Sequence, residues 1–307
     1  MDLRKRTLSL GAALVLATAG LAGARAIPRA FAARPRPVIA APADEVASAA
    51  PSGASPASPA AAQVLSRAPQ KARVPALRPV TAWRSSTNLS EAALSEVRER
   101  KLTEVRGLFA EAEVAFPPAA MLLRAFKKEK RLELWGASRA GEPLTHVTTF
   151  EVCAISGTLG PKRKQGDLQV PEGFYTLTDW EAPRMHFLSL LVSYPNASDR
   201  VLGSRGDPGG DIMIHGRCHS KGCLSMSDEG ITEIYVAVRA FRRAGGTTRV
   251  QVFPSRDMAG LIAETSDPAL RAFWENLAEG LDQFERDHRL LDVEVDAEGR
   301  YHFRQGA

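Results

Sequence analysis

From Ile27 to about Val80 the chain is built of alanine, proline and serine, as in Ala50-Pro-Ser-Gly-Ala-Ser-Pro-Ala-Ser-Pro59, with almost no aromatic residues. A stretch of this kind buries too little apolar surface to offset the entropy of ordering it. Residues 27–88 are therefore expected to be a disordered linker, and its prolines to act as a semi-rigid spacer. Any folded domain is confined to residues 89–307, long enough for one hydrophobic core.

Ahead of the linker, Met1-Asp-Leu-Arg-Lys-Arg6 is basic, Leu8 to Gly23 is apolar, and Ala24-Arg-Ala26 offers a small-residue cleavage site. Residues 1–26 thus read as a signal peptide of an exported chain. An uncleaved anchor is the alternative, because the apolar run approaches the length that spans a bilayer. Membrane contact is expected only through this segment. The net charge of +5 is unevenly divided, with +3 in residues 1–26 and +6 in 27–88, which leaves −4 for 89–307. A mildly acidic domain argues against nucleic-acid binding, where a basic face supplies most of the affinity.

Within the domain, Ala93, Leu94, Val97, Leu102, Val105, Leu108 and Phe109 recur at helical spacing, and Pro117-Pro118 ends the pattern. Met121–Phe126 and Leu132–Trp135 read as strands joined by the charged turn Lys127-Lys-Glu-Lys130. Further strands are expected at Val147–Val152, Gly173–Leu177, His186–Val192 and Thr248–Phe253, rich in β-branched and aromatic residues. Ser227-Asp-Glu is an N-cap followed by acids, opening a helix that Gly245-Gly246 stops. A last helix over about Pro268 to His288 leads into a hairpin turning at Glu298-Gly299. The sum is an α+β fold with a mainly antiparallel sheet and flanking helices.

The chemically loaded stretch is Asp211-Ile-Met-Ile-His-Gly-Arg-Cys-His-Ser-Lys-Gly-Cys-Leu-Ser-Met226. A short apolar strand delivers His215, a polar turn follows, and Cys223 begins a second apolar run. A histidine and a cysteine brought together by a tight loop are the parts of an activated thiol nucleophile. Cys153, Cys218 and Cys223 are too few and too odd in number for a disulfide framework, so at least one thiol is left over. Cys153 is expected to be core. For Cys218 a structural role, reversible pairing with Cys223 and no role all stay open. A rival reading makes His215, Cys218, His219 and Cys223 zinc ligands, although one short loop is an unusual source for all four.

His215-Gly216 followed by Ser220-Lys-Gly-Cys223 resembles the active-site signature of the YkuD-type L,D-transpeptidases, and within them the YafK-like murein branch. The resemblance extends through Leu123-Arg-Ala-Phe-Lys127, Gly160-Pro-Lys-Arg-Lys164, Gly166–Tyr175, Tyr194-Pro-Asn-Ala-Ser-Asp199, Phe273-Trp274 and Gly299-Arg-Tyr301. It implies a β-sandwich-like catalytic domain acting on peptidoglycan stem peptides in the periplasm or cell envelope, without a cofactor or metal. It also implies that Cys223 is the nucleophile, that His215 is the base, and that the Gly216 carbonyl holds the second imidazole nitrogen. The N–H groups of Gly222 and Cys223 would face the oxyanion, and Ser220 would match the serine of the family's signature. Lys162, Arg163, Lys164 and Tyr194 are candidate substrate contacts, with solvated or structural roles as the alternatives, and His186 is a further cleft candidate.

Two departures stand out. Lys221 replaces the family's usual histidine before Gly-Cys, and Ser225 replaces an arginine two residues after the cysteine. They leave the acceptor open: an amine for cross-linking, water for hydrolysis, or release of a wall-linked lipoprotein. A non-catalytic wall-binding module is the remaining alternative.

Overall fold

The computed structural model describes residues 91–181, 187–204 and 206–306. The expected signal segment, the linker and His186 lie outside the described residues. In chain order the elements are α1 (Glu91–Glu111), β1 (Ala120–Phe126), β2 (Arg131–Ala137), β3 (Thr145–Ala154), β4 (Gly173–Glu181) and β5 (Ser189–Val192). Then follow α2 (Ala197–Leu202), β6 (Met213–His215), β7 (Leu224–Met226), α3 (Asp228–Arg243) and β8 (Arg249–Phe253). The chain ends in α4 (Met258–Glu264), α5 (Pro268–Asp287), β9 (Leu291–Val295) and β10 (Tyr301–Gln305).

Eight strands close into a barrel in the order β1-β2-β3-β7-β6-β5-β4-β8, and β9 and β10 form a separate hairpin. The barrel corrects the expected sandwich. Closure depends on β8, which pairs antiparallel with β4 on one side and parallel with β1 on the other, with Leu122 opposite Arg249 and Phe126 opposite Phe253. A second parallel pair, β6 with β7, sits across the barrel wall, while every other strand pair is antiparallel.

All seven residues of β1 are buried, which accounts for its apolar run on both faces; Arg124 alone breaks that run, and its guanidinium pairs with Glu133 at 3.4 Å and Glu285 at 2.8 Å. Met121, Leu123 and Ala125 enter the main core with Val105 and Phe109 of α1 and Ile231, Ile234 and Phe241 of α3. The alternate residues Ala120 and Leu122 meet Trp135 and Phe284, while Phe126 joins Trp274 and Leu277 of α5. Full burial of one such leucine contributes about 1.5–3 kcal/mol relative to exposure.

Local signals set the helix ends. The Ser227 hydroxyl accepts the Gly230 N–H at 3.0 Å, acids fill the first turn of α3 and Arg242 and Arg243 the last. Helix α5 starts at the Asp267 cap with Pro268 behind it and stops at His288, whose φ of 53° is left-handed. Two short helices, α2 and α4, were not anticipated. In α2 the Asn196 side chain accepts the Asp199 N–H while Asp199 accepts the Asn196 N–H, a capping box.

The turn Lys127-Lys-Glu-Lys130 is not solvated throughout. Lys127 is only 1% exposed, and its ammonium donates to the carbonyls of Gly160 (2.8 Å) and Val170 (2.9 Å) and to Glu172 (2.8 Å). Glu172, fully buried, also accepts the Gly160 N–H at 2.7 Å and the Trp274 indole N–H at 2.8 Å. Burial pulls the Lys127 ammonium below its ordinary range and the Glu172 carboxylate opposes that fall. This pair fastens both ends of the loop 160–172, which borders the site described next.

Candidate active site

The parallel pair β6–β7 sets Ile214 opposite Leu224 and His215 opposite Ser225. Cys223 stands one residue ahead of β7, in the turn that joins it to the strand ending in His215. His215 is 2% exposed. Its Nδ1–H donates to the Gly216 carbonyl at 2.5 Å, which assigns the neutral ring's proton to Nδ1 and leaves Nε2 as the basic nitrogen. Nε2 lies 3.3 Å from the Ser225 hydroxyl.

Cys223 is a free, half-buried thiol whose sulfur lies 3.7 Å from the Asp211 carbonyl oxygen. Burial pushes the thiol above its ordinary range. A backbone hydrogen bond from Met213 and the Lys162 ammonium pull the other way, and Asp211 adds to the rise. The resting group is therefore the thiol, and reaction needs a base.

The turn between the two strands is braced by hydroxyls. Ser220 Oγ donates to the Cys223 carbonyl at 2.7 Å and accepts the Cys223 N–H at 3.1 Å. The Gly222 N–H donates to Ser156 Oγ at 2.6 Å, and Ser156 in turn donates to the Leu168 carbonyl at 2.8 Å. The two N–H groups expected to face an open oxyanion position thus each meet a serine hydroxyl. Gly222 has φ +103°, and a β-carbon there would come within 3.2 Å of the Gln169 carbonyl oxygen, so both backbone freedom and space call for glycine.

Cys153 and Cys218 form a disulfide, with Cα atoms 5.4 Å apart. This corrects the expectation of a core Cys153 and answers the open question of Cys218. The register shift of β3 against β7 falls between Val152 and Ala154, at Cys153 itself. A bulge there re-aims the side chain toward the turn. The zinc reading fails for the same reason, because a disulfide sulfur is no thiolate ligand. Among the described residues the one acidic group spaced for a metal, Glu104, Glu229 and Glu233, encloses the Lys101 ammonium at 2.6, 2.9 and 3.3 Å.

The basic loop is less available than its composition suggests. Lys162 is buried, paired with Asp167 at 2.7 Å and donating to the Lys164 carbonyl at 2.8 Å. Asp167 also accepts the N–H groups of Arg163 (2.8 Å) and Lys164 (3.0 Å), and burial notwithstanding these partners hold its carboxyl below the usual range. The Arg163 guanidinium lies over the Phe273 ring at 4.6 Å and 3.7 Å from Asp199. Lys164 alone of the three has an exposed side chain. Tyr194 is buried and donates to the Pro208 carbonyl at 2.9 Å, an internal brace. Sequence reasoning missed Ser156, which approaches Gly222 from 66 residues away, and gave Ser225 no place beside His215.

No family model matches the chain. It is 33% identical over 182 residues to YafK of Escherichia coli K12, a protein named for a proposed L,D-transpeptidase activity; the match spans 58% of this chain and 72% of YafK. YafK of E. coli O157:H7 matches equally. Solved structures that resemble it include the helical cell shape determining protein Pgp2 of Campylobacter jejuni, at 16% identity and TM-score 0.36 over 64% of this chain and 80% of that one. Bd1075 of Bdellovibrio bacteriovorus gives 17% identity and TM-score 0.35 over 56% and 59%. At 33% identity over an alignment that spans 72% of YafK, the chain belongs to the YafK family of L,D-transpeptidases.

Proposed function

We propose that this chain is an exported cysteine L,D-transpeptidase of the cell envelope that acts on peptidoglycan stem peptides. The observation that supports the reading is a free thiol, Cys223, one residue ahead of the strand that pairs with the strand ending in His215, whose Nδ1–H is taken by the Gly216 carbonyl. Family membership supplies the substrate class.

In the proposed cycle the Cys223 S–H bond breaks and His215 Nε2 takes the proton. The thiolate adds to the carbonyl carbon at the L-centre of a stem peptide, and the oxyanion draws on the Gly222 and Cys223 N–H groups in place of the serine hydroxyls. The C–N bond to the terminal D-residue then breaks, the imidazolium proton goes to the leaving amine, and a thioester remains on Cys223. An amine from a second stem attacks the thioester, its proton returning through His215 to the Cys223 sulfur. Water in the amine's place gives hydrolysis, including release of a wall-linked protein.

The test feeds the purified chain a tetrapeptide muropeptide with and without an amine acceptor, and identifies products by mass. The expected products are an acceptor-linked stem and the freed D-residue. A shortened stem alone makes the enzyme a hydrolase, and wall binding without any product makes it a binding module.

A further inference from the structure

Ser225 stands where the family's signature carries arginine, and it is fully buried against the proposed base. A hydroxyl has one proton to give. Here Ser225 Oγ–H donates to the His219 carbonyl, so what it turns toward His215 Nε2 at 3.3 Å is a lone pair. A neutral ring with its proton on Nδ1 also presents a lone pair at Nε2, and two lone pairs do not bind each other. An imidazolium fits the same geometry on both sides, with Nδ1–H on the Gly216 carbonyl and Nε2–H on Ser225 Oγ. Rotation of the hydroxyl supplies the complementary arrangement, in which Ser225 gives its proton to the neutral ring.

We propose that Ser225 is a positioning residue for His215, receiving the Nε2–H of the imidazolium while its own proton rests on the His219 carbonyl. The ring is thereby held after it has taken the Cys223 proton, and released by a hydroxyl turn when it gives that proton up. Both steps conserve protons: one passes from sulfur to Nε2, and the serine proton only changes acceptor. The inference rests on the reading of His215 as base. Of the titratable groups on neighbouring elements, His219 in the turn has its ring centroid 5.7 Å from that of His215, Cys223 stands ahead of β7, and Asp228 at the head of α3 accepts the Arg217 N–H at 2.8 Å. From β5 the residue paired with His215 is Ser189, which does not titrate.

The test compares the wild type with Ser225→Ala and Ser225→Thr, using ¹⁵N-labelled histidine spectra and the pH dependence of Cys223 alkylation by iodoacetamide. His215→Gln identifies the His215 resonances. Ser225→Ala is expected to move the His215 titration to lower pH and to slow alkylation near neutral pH by about tenfold, as loss of a charge-assisted hydrogen bond requires. Ser225→Thr keeps the oxygen and is expected to restore most of both. In the wild type at low pH, two hydrogen-bonded imidazole N–H signals from His215 are expected, a reading that needs no variant. An unshifted titration in Ser225→Ala, or a single protected N–H in the wild type, overturns the proposal. Neither readout uses a muropeptide, so an enzyme that fails to turn over stem peptides sinks the functional reading and leaves this result to stand or fall separately.

Discussion

Two loops meet at Gly222, the loop 160–172 and the turn 216–223, and they are held by different physics. The loop 160–172 is fixed at its ends by the buried Lys127–Glu172 pair and across its middle by Lys162–Asp167. The turn 216–223 is held by hydroxyls, backbone groups and the Cys153–Cys218 disulfide. The described contacts bring one formal charge to the turn's backbone, Asp228 on the Arg217 N–H. Full charges are costly to bury and costly to unpair, so they give the first loop a single fixed arrangement. Hydroxyls rotate at little cost and can exchange donor for acceptor, which suits the segment where a proton must move. Burial holds the Cys223 thiol above its ordinary range, and the field of Lys162 in the first loop is a minor effect that opposes it.

That contrast can be broken from either side. The largest stability loss is expected from Glu172→Ala, which leaves the Lys127 ammonium unpaired and frees the Trp274 indole; a cost of about 3–5 kcal/mol should appear in denaturant melts. The double change Lys127→Met with Glu172→Leu should cost less than Glu172→Ala alone, because no charge is then stranded. Next, reducing the Cys153–Cys218 bond, or Cys153→Ser with Cys218→Ser, should cost about 2–4 kcal/mol. It should also lower turnover beyond what the stability loss explains, since the bond pins the turn between base and nucleophile. Equal effects of the reduction and of Glu172→Ala on turnover at matched stability would erase the distinction.

Gly222→Ala is expected to cost about 1–3 kcal/mol in stability, through its φ of +103° and the Gln169 carbonyl, while reducing turnover far more. The smallest effect concerns Asp199. Burial pushes its carboxyl up to about 6 against its bonds to the Asn196 N–H and the Tyr175 hydroxyl. The folded value lies above the unfolded one, so this group's contribution is greatest in acid and is lost as pH rises through about 6. In Asp199→Asn that slope in stability against pH should disappear.

Much of this was legible in the chain. Ser227 and Gly245 bracket α3, Asp267 and Pro268 open α5, and alternating β-branched residues mark most strands, because these signals act within a few residues of themselves. The His215 to Cys223 spacing announces thiol chemistry for the same reason. What was not legible depends on long-range placement. Barrel closure needs β1 beside β8, two strands whose residue patterns are equally compatible with a sandwich edge. The Cys153–Cys218 pairing needs a bulge in β3 to meet a turn 65 residues later. Lys127 reads as a solvated turn residue until Glu172 is brought against it, and Ser225 reads as a lost arginine until its hydroxyl is seen beside His215.

The central claim is that the Cys223 thiol carries the acyl group. It is tested most directly by acid-quenching the chain with a tetrapeptide muropeptide and measuring intact mass. The account predicts an adduct equal to the stem less its terminal D-residue, mapped to Cys223, absent in Cys223→Ala, with turnover in that variant down by about a thousandfold or more while the fold is kept. Undiminished product from Cys223→Ala, or an adduct on any other residue, would contradict it.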